Sequence, residues 1–106
     1  MGIKHTPGPW FITGSMTKYV EARIPGRMIQ EVAACGPTAA DDGYGEQQMA
    51  NARLISAAPE LYEALADALA DYDNWAAHED NYPHEHLVAW SEKARAAIAK
   101  AKGEEQ

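Results

Sequence analysis

Hydrophobic and polar positions alternate with a period of two in the first third of the chain and recur every three or four residues in the second half. From Tyr19 to Ile24, Val20, Ala22 and Ile24 fall on one side and Tyr19, Glu21 and Arg23 on the other. That pattern predicts a half-buried strand. Ahead of it, Pro7-Gly8-Pro9 forms a rigid, extended lead-in lacking two backbone donors. Trp10-Phe11-Ile12 is therefore expected as an edge strand or as the first strand of a sheet, with Gly14-Ser15 offering a turn. Pro25-Gly26 matches the central pair of a type II turn, so Met28 to Ala34 is expected to return antiparallel. Two registers fit this last strand: Met28 and Val32 favour one, Ile29 and Ala33 the other. Gly36-Pro37 stops it, and the small, polar stretch Thr38 to Gly45 reads as an exposed loop.

The second half is helical in grammar. Glu46 to Ala57 lacks Gly and Pro, and Pro59 disfavours helical geometry at Ala58, which predicts a break or kink there. Pro59 itself suits the first turn of a following helix. Leu61, Leu65, Ala68, Leu69, Tyr72 and Ala76 mark an apolar stripe, with Glu60, Glu63, Asp67 and Asp71 on the other side. After a polar connection over 78–82, Pro83 suits another helix start. Leu87, Trp90, Ala94, Ile98 and Ala101 mark the inner stripe of a last helix that ends in Lys100, Lys102 and Gly103, as the helix dipole and C-cap preferences favour. The expected fold is α+β: a small antiparallel sheet of about three strands followed by two or three helices that form a helical hairpin. The chain is expected to form a single domain over 1–106, with a β-hairpin region over 1–35, a loop over 36–45 and a helical region over 46–102.

Composition limits the core. At 106 residues, 46% are hydrophobic, but many of these are alanine, so large apolar side chains are scarce and oligomerisation would help. A homodimer or higher homo-oligomer is the expectation, and the helical hairpin is expected either to pack on the small sheet or to pair with a second hairpin across a dimer axis. The single cysteine, Cys35, excludes an intramolecular disulfide and reads as a small buried residue rather than a nucleophile. No basic start followed by an apolar run and no stretch of roughly 20 apolar residues is present, so a cytoplasmic protein without membrane association is expected.

Charge is unevenly distributed. Residues 1–57 carry five basic and five acidic side chains, whereas residues 58–106 carry four basic and eleven acidic ones, so the formal charge of -7 lies on the helical half. Direct nucleic-acid binding is not expected, because backbone affinity needs clustered Lys and Arg.

Few residues form a pattern with chemistry in it. Trp10 reads either as a core anchor or as a stacking platform for a base or a partner side chain. Asn51 offers two donors and an acceptor, and Arg53 a planar fork suited to phosphate or carboxylate. Being two residues apart on a helix, they diverge by about 200° and would act separately. Arg53 either joins Arg23 and Arg27 in an anion pocket at the sheet-helix junction or pairs with Glu46 or Glu60 at the surface. His78, Glu79, Asp80, His84, Glu85 and His86 supply donors but match no zinc spacing, so no metal is expected. Gly43-Tyr44-Gly45 lacks the further glycine and the strand-helix setting of a dinucleotide loop, and no cofactor or catalytic residue is expected.

Two segments carry a family signature: His5-Thr6-Pro7-Gly8-Pro9-Trp10, and Ala50-Asn51-Ala52-Arg53-Leu54-Ile55-Ser56-Ala57-Ala58-Pro59-Glu60-Leu61. Together they resemble small proteins of bacteriophages and prophages, in which a leading HTPGPW precedes, after a variable stretch, an ANARLIAAAPELLEAL-like helical block. Tyr62 stands where that block usually has Leu. The resemblance implies an accessory phage protein acting in the host bacterial cytoplasm, and by analogy a counter-defence role without catalysis. Two mechanisms follow. In one, the protein sequesters a small nucleotide-like immune signal in an inter-subunit pocket, with Arg23, Arg27 or Arg53 for phosphate and Trp10 or Tyr44 for the base. In the other, Asp67 and Asp71 on the acidic helices bind a host protein, imitating nucleic acid or covering a basic surface. A regulatory or structural phage component without a defence role is the third reading.

Overall fold

Strands and helices follow one another in the expected α+β order: β1 (Trp10–Thr13), β2 (Lys18–Arg23), β3 (Ile29–Cys35), α1 (Glu46–Ser56), α2 (Ala58–Ala76) and α3 (Glu85–Lys102). The structure is a computed structural model and describes residues 5–26, 28–36 and 45–104. Most of the expected loop over 36–45, together with Arg27 and Tyr44, lies outside the described residues. Contacts group the chain into two units, 1–60 and 61–106, and each is described by itself.

The first unit is an antiparallel meander in the order β1-β2-β3, covered on one face by α1. Trp10 pairs with Ala22 and Ile12 with Val20, so alternation puts all four on the face toward α1. Gly26 has a φ of 72°, the positive angle that the expected Pro25-Gly26 turn requires. The ambiguity in β3 resolves through a bulge. Val20 pairs with Ala33 but Glu21 pairs with Glu31, leaving Val32 as an extra residue, and both Val32 and Ala33 pack against the buried cluster of Val20, Cys35 and Ala52. Beyond the bulge Ile29 faces the other way, opposite Arg23, and is 51% exposed. Each of the two registers thus describes one part of the strand.

Helix α1 turns Gln48, Ala52 and Ile55 toward the sheet, at the spacing of one helical face. Ala52 is fully buried, and its small side chain lets the helix lie close. Gln48 is also buried, and its amide nitrogen donates to the Met16 carbonyl at 2.6 Å and to the Cys35 carbonyl at 2.5 Å. One side chain therefore ties the start of α1 to the β1-β2 turn and to the end of β3.

In the second unit α2 and α3 meet through Tyr72 and Trp90, whose rings are T-shaped at 5.6 Å, and through an Asp73 to Arg95 ion pair. The break between α1 and α2 falls at Ala57, one residue before the expected site, and Pro59 occupies the first turn of α2 as expected. Pro83 lies outside α3, whose N-cap is His84. The expected inner stripes need correction. Leu69 and Ala94 are buried, but Leu61, Ala68, Leu87 and Ala101 are exposed, while Tyr62 and Ser91 turn inward. The apolar face of each helix is wider than its neighbour can cover.

Replacing Gln48 by Leu leaves two carbonyls without their donor and should destabilise the protein by about 2 to 4 kcal/mol. Asn51→Ala on the exposed side of the same helix should change stability by about 0.5 kcal/mol or less. Urea unfolding followed by tryptophan fluorescence checks both.

Candidate functional site

The HTPGPW segment folds back on its own tryptophan. The Trp10 indole N–H donates to the carbonyls of Thr6 at 3.1 Å and Pro7 at 3.2 Å, and the His5 ring meets Trp10 edge-on at 6.3 Å. The Gln30 amide donates to the Thr6 hydroxyl at 3.1 Å. The Gly8–Pro9 bond is cis. A methyl group on Gly8 would lie 2.8 Å from Cβ of the buried Pro59, so the HTPGPW strap packs against the start of α2 at a point where only glycine fits. Trp10 packs against the core cluster with its single donor already engaged, which is the geometry of an anchor.

The sheet face turned away from α1 has a different character. Phe11, Tyr19, Glu21, Arg23 and Glu31 share it by strand alternation. The Arg23 guanidinium carbon sits 5.5 Å from the centre of the Phe11 ring, a cation-π arrangement. The Thr13 hydroxyl donates to Glu21 at 2.9 Å, and Glu21 stands directly across the strands from Glu31. Two carboxylates opposite each other are unfavourable in isolation and favour a cationic group between them. Among the described residues Arg23 has no carboxylate within ion-pair distance.

Of the other sequence-selected residues, Asn51 and Arg53 are both exposed on α1 and do not converge. Arg53 is on the helix that covers the inner face, whereas Arg23 projects from the outer face, so the fold does not bring these two together in a junction pocket. Arg53 also forms no ion pair with Glu46 or Glu60. Arg27 and Tyr44 lie outside the described residues. Cys35 is buried in the core. No group of three or more potential ligands that could hold a metal occurs among the described residues. Phe11 is the residue that sequence reasoning passed over. Its signal was available in the parity of Trp10-Phe11-Ile12, since burying Trp10 and Ile12 turns Phe11 outward.

In the helical unit, Asp67 and Asp71 are exposed on α2. Asp73 accepts two hydrogen bonds from Arg95, at 2.9 and 2.5 Å. The bonded Arg95 guanidinium holds the Asp73 carboxyl below its usual carboxylate range. Among the described residues, no helix is long and apolar enough to cross a membrane.

A family model described as Salmonella phage P22 protein Y8K6 matches residues 1–105. The chain belongs to this phage protein family. No curated protein and no solved structure matches it. In this Y8K6-family protein the strap that holds Trp10 thus rests on the proline in the first turn of α2.

Two outcomes follow for the Y8K6-family fold. Gly8→Ala should cost about 1 to 3 kcal/mol through overpacking against Pro59. Combined with Pro59→Ala, the loss should be less than the sum of the single losses, as a double-mutant cycle in urea will measure. The Asp73 carboxyl has a lowered pKa in the folded protein, so its contribution is present in full above the ordinary carboxylate range. That contribution is lost as pH falls through that range toward the lower folded value. Asp73→Asn should flatten the dependence of the unfolding midpoint on pH in that acidic window and leave its slope near neutrality unchanged.

Proposed function

We propose that this phage protein is a non-catalytic accessory factor that acts in the host cytoplasm by binding a host protein through the face of its sheet turned away from α1, and that its role is to blunt a host defence. The observation that carries the reading is the Arg23 guanidinium over the Phe11 ring, on a face that also holds Tyr19 and two carboxylates. Aromatic and arginine side chains are the residues most enriched at the energetic centres of protein interfaces. Glu21 and Glu31 would receive a basic side chain of the partner, which would relieve their mutual repulsion.

Sequestration of a nucleotide-like signal has less support within one chain. Arg23 and Arg53 project from opposite sides of the sheet, and the two glutamates beside Arg23 disfavour a phosphate on that face.

A photo-crosslinking residue in place of Tyr19, in protein expressed in the host bacterium, tests the proposal. One host protein should be captured, and Phe11→Ser or Arg23→Ala in the same chain should abolish capture while the unfolding midpoint stays within a few degrees. Capture that persists in both variants would remove the sheet face from the proposal. A stoichiometric small molecule retained in native mass spectrometry of the gently purified protein would turn the reading back to sequestration.

A further inference from the structure

The helical unit is under-buried for its length. Between residues 61 and 104 the buried side chains are Leu69, Ser91 and Ala94, while Tyr82 is 84%, Leu61 53%, Trp75 41%, Leu87 40% and Val88 39% exposed. Part of this exposed apolar surface is aligned. Leu61, Ala68 and Trp75 are spaced by seven on α2 and so form one line along the helix, drifting only about 20° per heptad. Trp90 and Ala97 form the matching line on α3.

The contacts between α2 and α3 locate both lines on the same side of the hairpin. Consecutive helical residues point about 100° apart, so Tyr72 and Asp73 lie on opposite flanks of the seam between the helices. Tyr72 meets Trp90 on one flank, and Asp73 meets Arg95 on the other. The exposed apolar lines lie on the Tyr72 and Trp90 flank, and the ion pair closes the reverse side. The Tyr72 and Trp90 flank therefore carries the aligned apolar side chains, while Val88, seven residues before Arg95, lies exposed on the other flank.

Charge identifies what fits that face. Helix α2 carries no Lys or Arg, whereas every basic residue of the second half, Lys93, Arg95, Lys100 and Lys102, is on α3. The outer edge of α2 beside the apolar face bears Asp67 and Asp71, and the outer edge of α3 bears Lys93 and Lys100, none of them in an ion pair among the described residues. The antiparallel register set by the Tyr72–Trp90 and Asp73–Arg95 contacts makes Asp71 level with Lys93 and Asp67 level with Lys100. Within one hairpin these edges point away from each other. A two-fold axis parallel to the helices lays α3 of a second copy against α2 and keeps every residue at its level.

We infer that the helical unit pairs with a second copy of this chain through this apolar face. The product is a four-helix bundle in which Asp71 and Asp67 of one copy meet Lys93 and Lys100 of the other. Such a bundle buries Leu61, Ala68 and Trp75, which a single hairpin leaves in water. The inference stands independently of the sheet-face reading, because the two use different surfaces.

Sedimentation of the full-length protein over a range of concentrations tests it, with far-UV circular dichroism to confirm that each variant is folded. The wild-type chain should sediment as a dimer, and Ala68→Arg should weaken the dimer about a hundredfold or more by placing an unpaired charge in its core. Asp71→Lys and Lys93→Asp should each weaken it several-fold, and their combination should restore it, a rescue that a folding defect would not produce. A wild-type monomer at the highest soluble concentration would overturn the inference. So would a dimer indifferent to Ala68→Arg, or a double charge reversal no better than the single ones. Phe11→Ser should leave the dimer unchanged, which separates this result from the fate of the host-binding proposal.

Discussion

The amide of Gln48 is the constraint on which the first unit depends. A three-stranded meander this small has two faces and little to hold a cover on either, and its buried cluster rests on Val20, Cys35 and Ala52. Apolar burial is non-directional and would allow α1 to slide along the sheet. The two hydrogen bonds from Gln48 to the Met16 and Cys35 carbonyls are directional, and both acceptors lie at one end of the sheet. They set where the helix begins, and the following turns then bring Ala52 and Ile55 over the strands at the spacing of one face. The interaction also satisfies backbone groups at strand ends, which would otherwise be costly to bury.

Much of this fold was legible in the sequence because its strands and turns obey local rules. Alternation in Tyr19 to Ile24, the Pro25-Gly26 pair and the break before Pro59 each follow from a few neighbouring residues. What was not legible depends on partners far away in the chain. The β3 bulge reconciles two incompatible registers and needs the pairing of β2 to become visible. Gln48 looks like an ordinary solvent-facing helix residue until the carbonyls it meets are known. Trp10 was open between anchor and platform because its environment is made by the Thr6 and Pro7 carbonyls and by the cluster of Val20, Cys35 and Ala52, and the last of these lies on α1, far along the chain.

The candidate site was less legible than the fold for a related reason. Arginines attract attention as single residues, and the sequence offers three for one pocket, yet which of them can meet is a question of faces. Arg23 and Arg53 are separated by the sheet itself, and the partner that Arg23 finds is Phe11, a residue with no polar group to mark it. Parity along β1 carries that information, once the neighbours Trp10 and Ile12 are given to the core. The apolar stripes on the helices erred in a more instructive way. Leu61, Ala68, Leu87 and Ala101 fit the amphipathic pattern but are exposed in one chain, so the pattern describes more burial than one hairpin can provide.

That surplus and the charge distribution have a common physical reading. Summed over residues 58–106, the excess of acid over base looks like a uniformly acidic surface that would repel a second copy and attract a basic partner. Resolved onto helices, it separates into an acidic α2 and an α3 that holds all the basic residues of that half, with the edge of each helix beside the apolar face carrying one sign. A net charge governs long-range attraction, but docking at contact distance is governed by which signs are level with each other. Two antiparallel hairpins related by a two-fold axis put unlike edges together without any change in the net charge. The acidic half of the chain is thereby compatible with self-association.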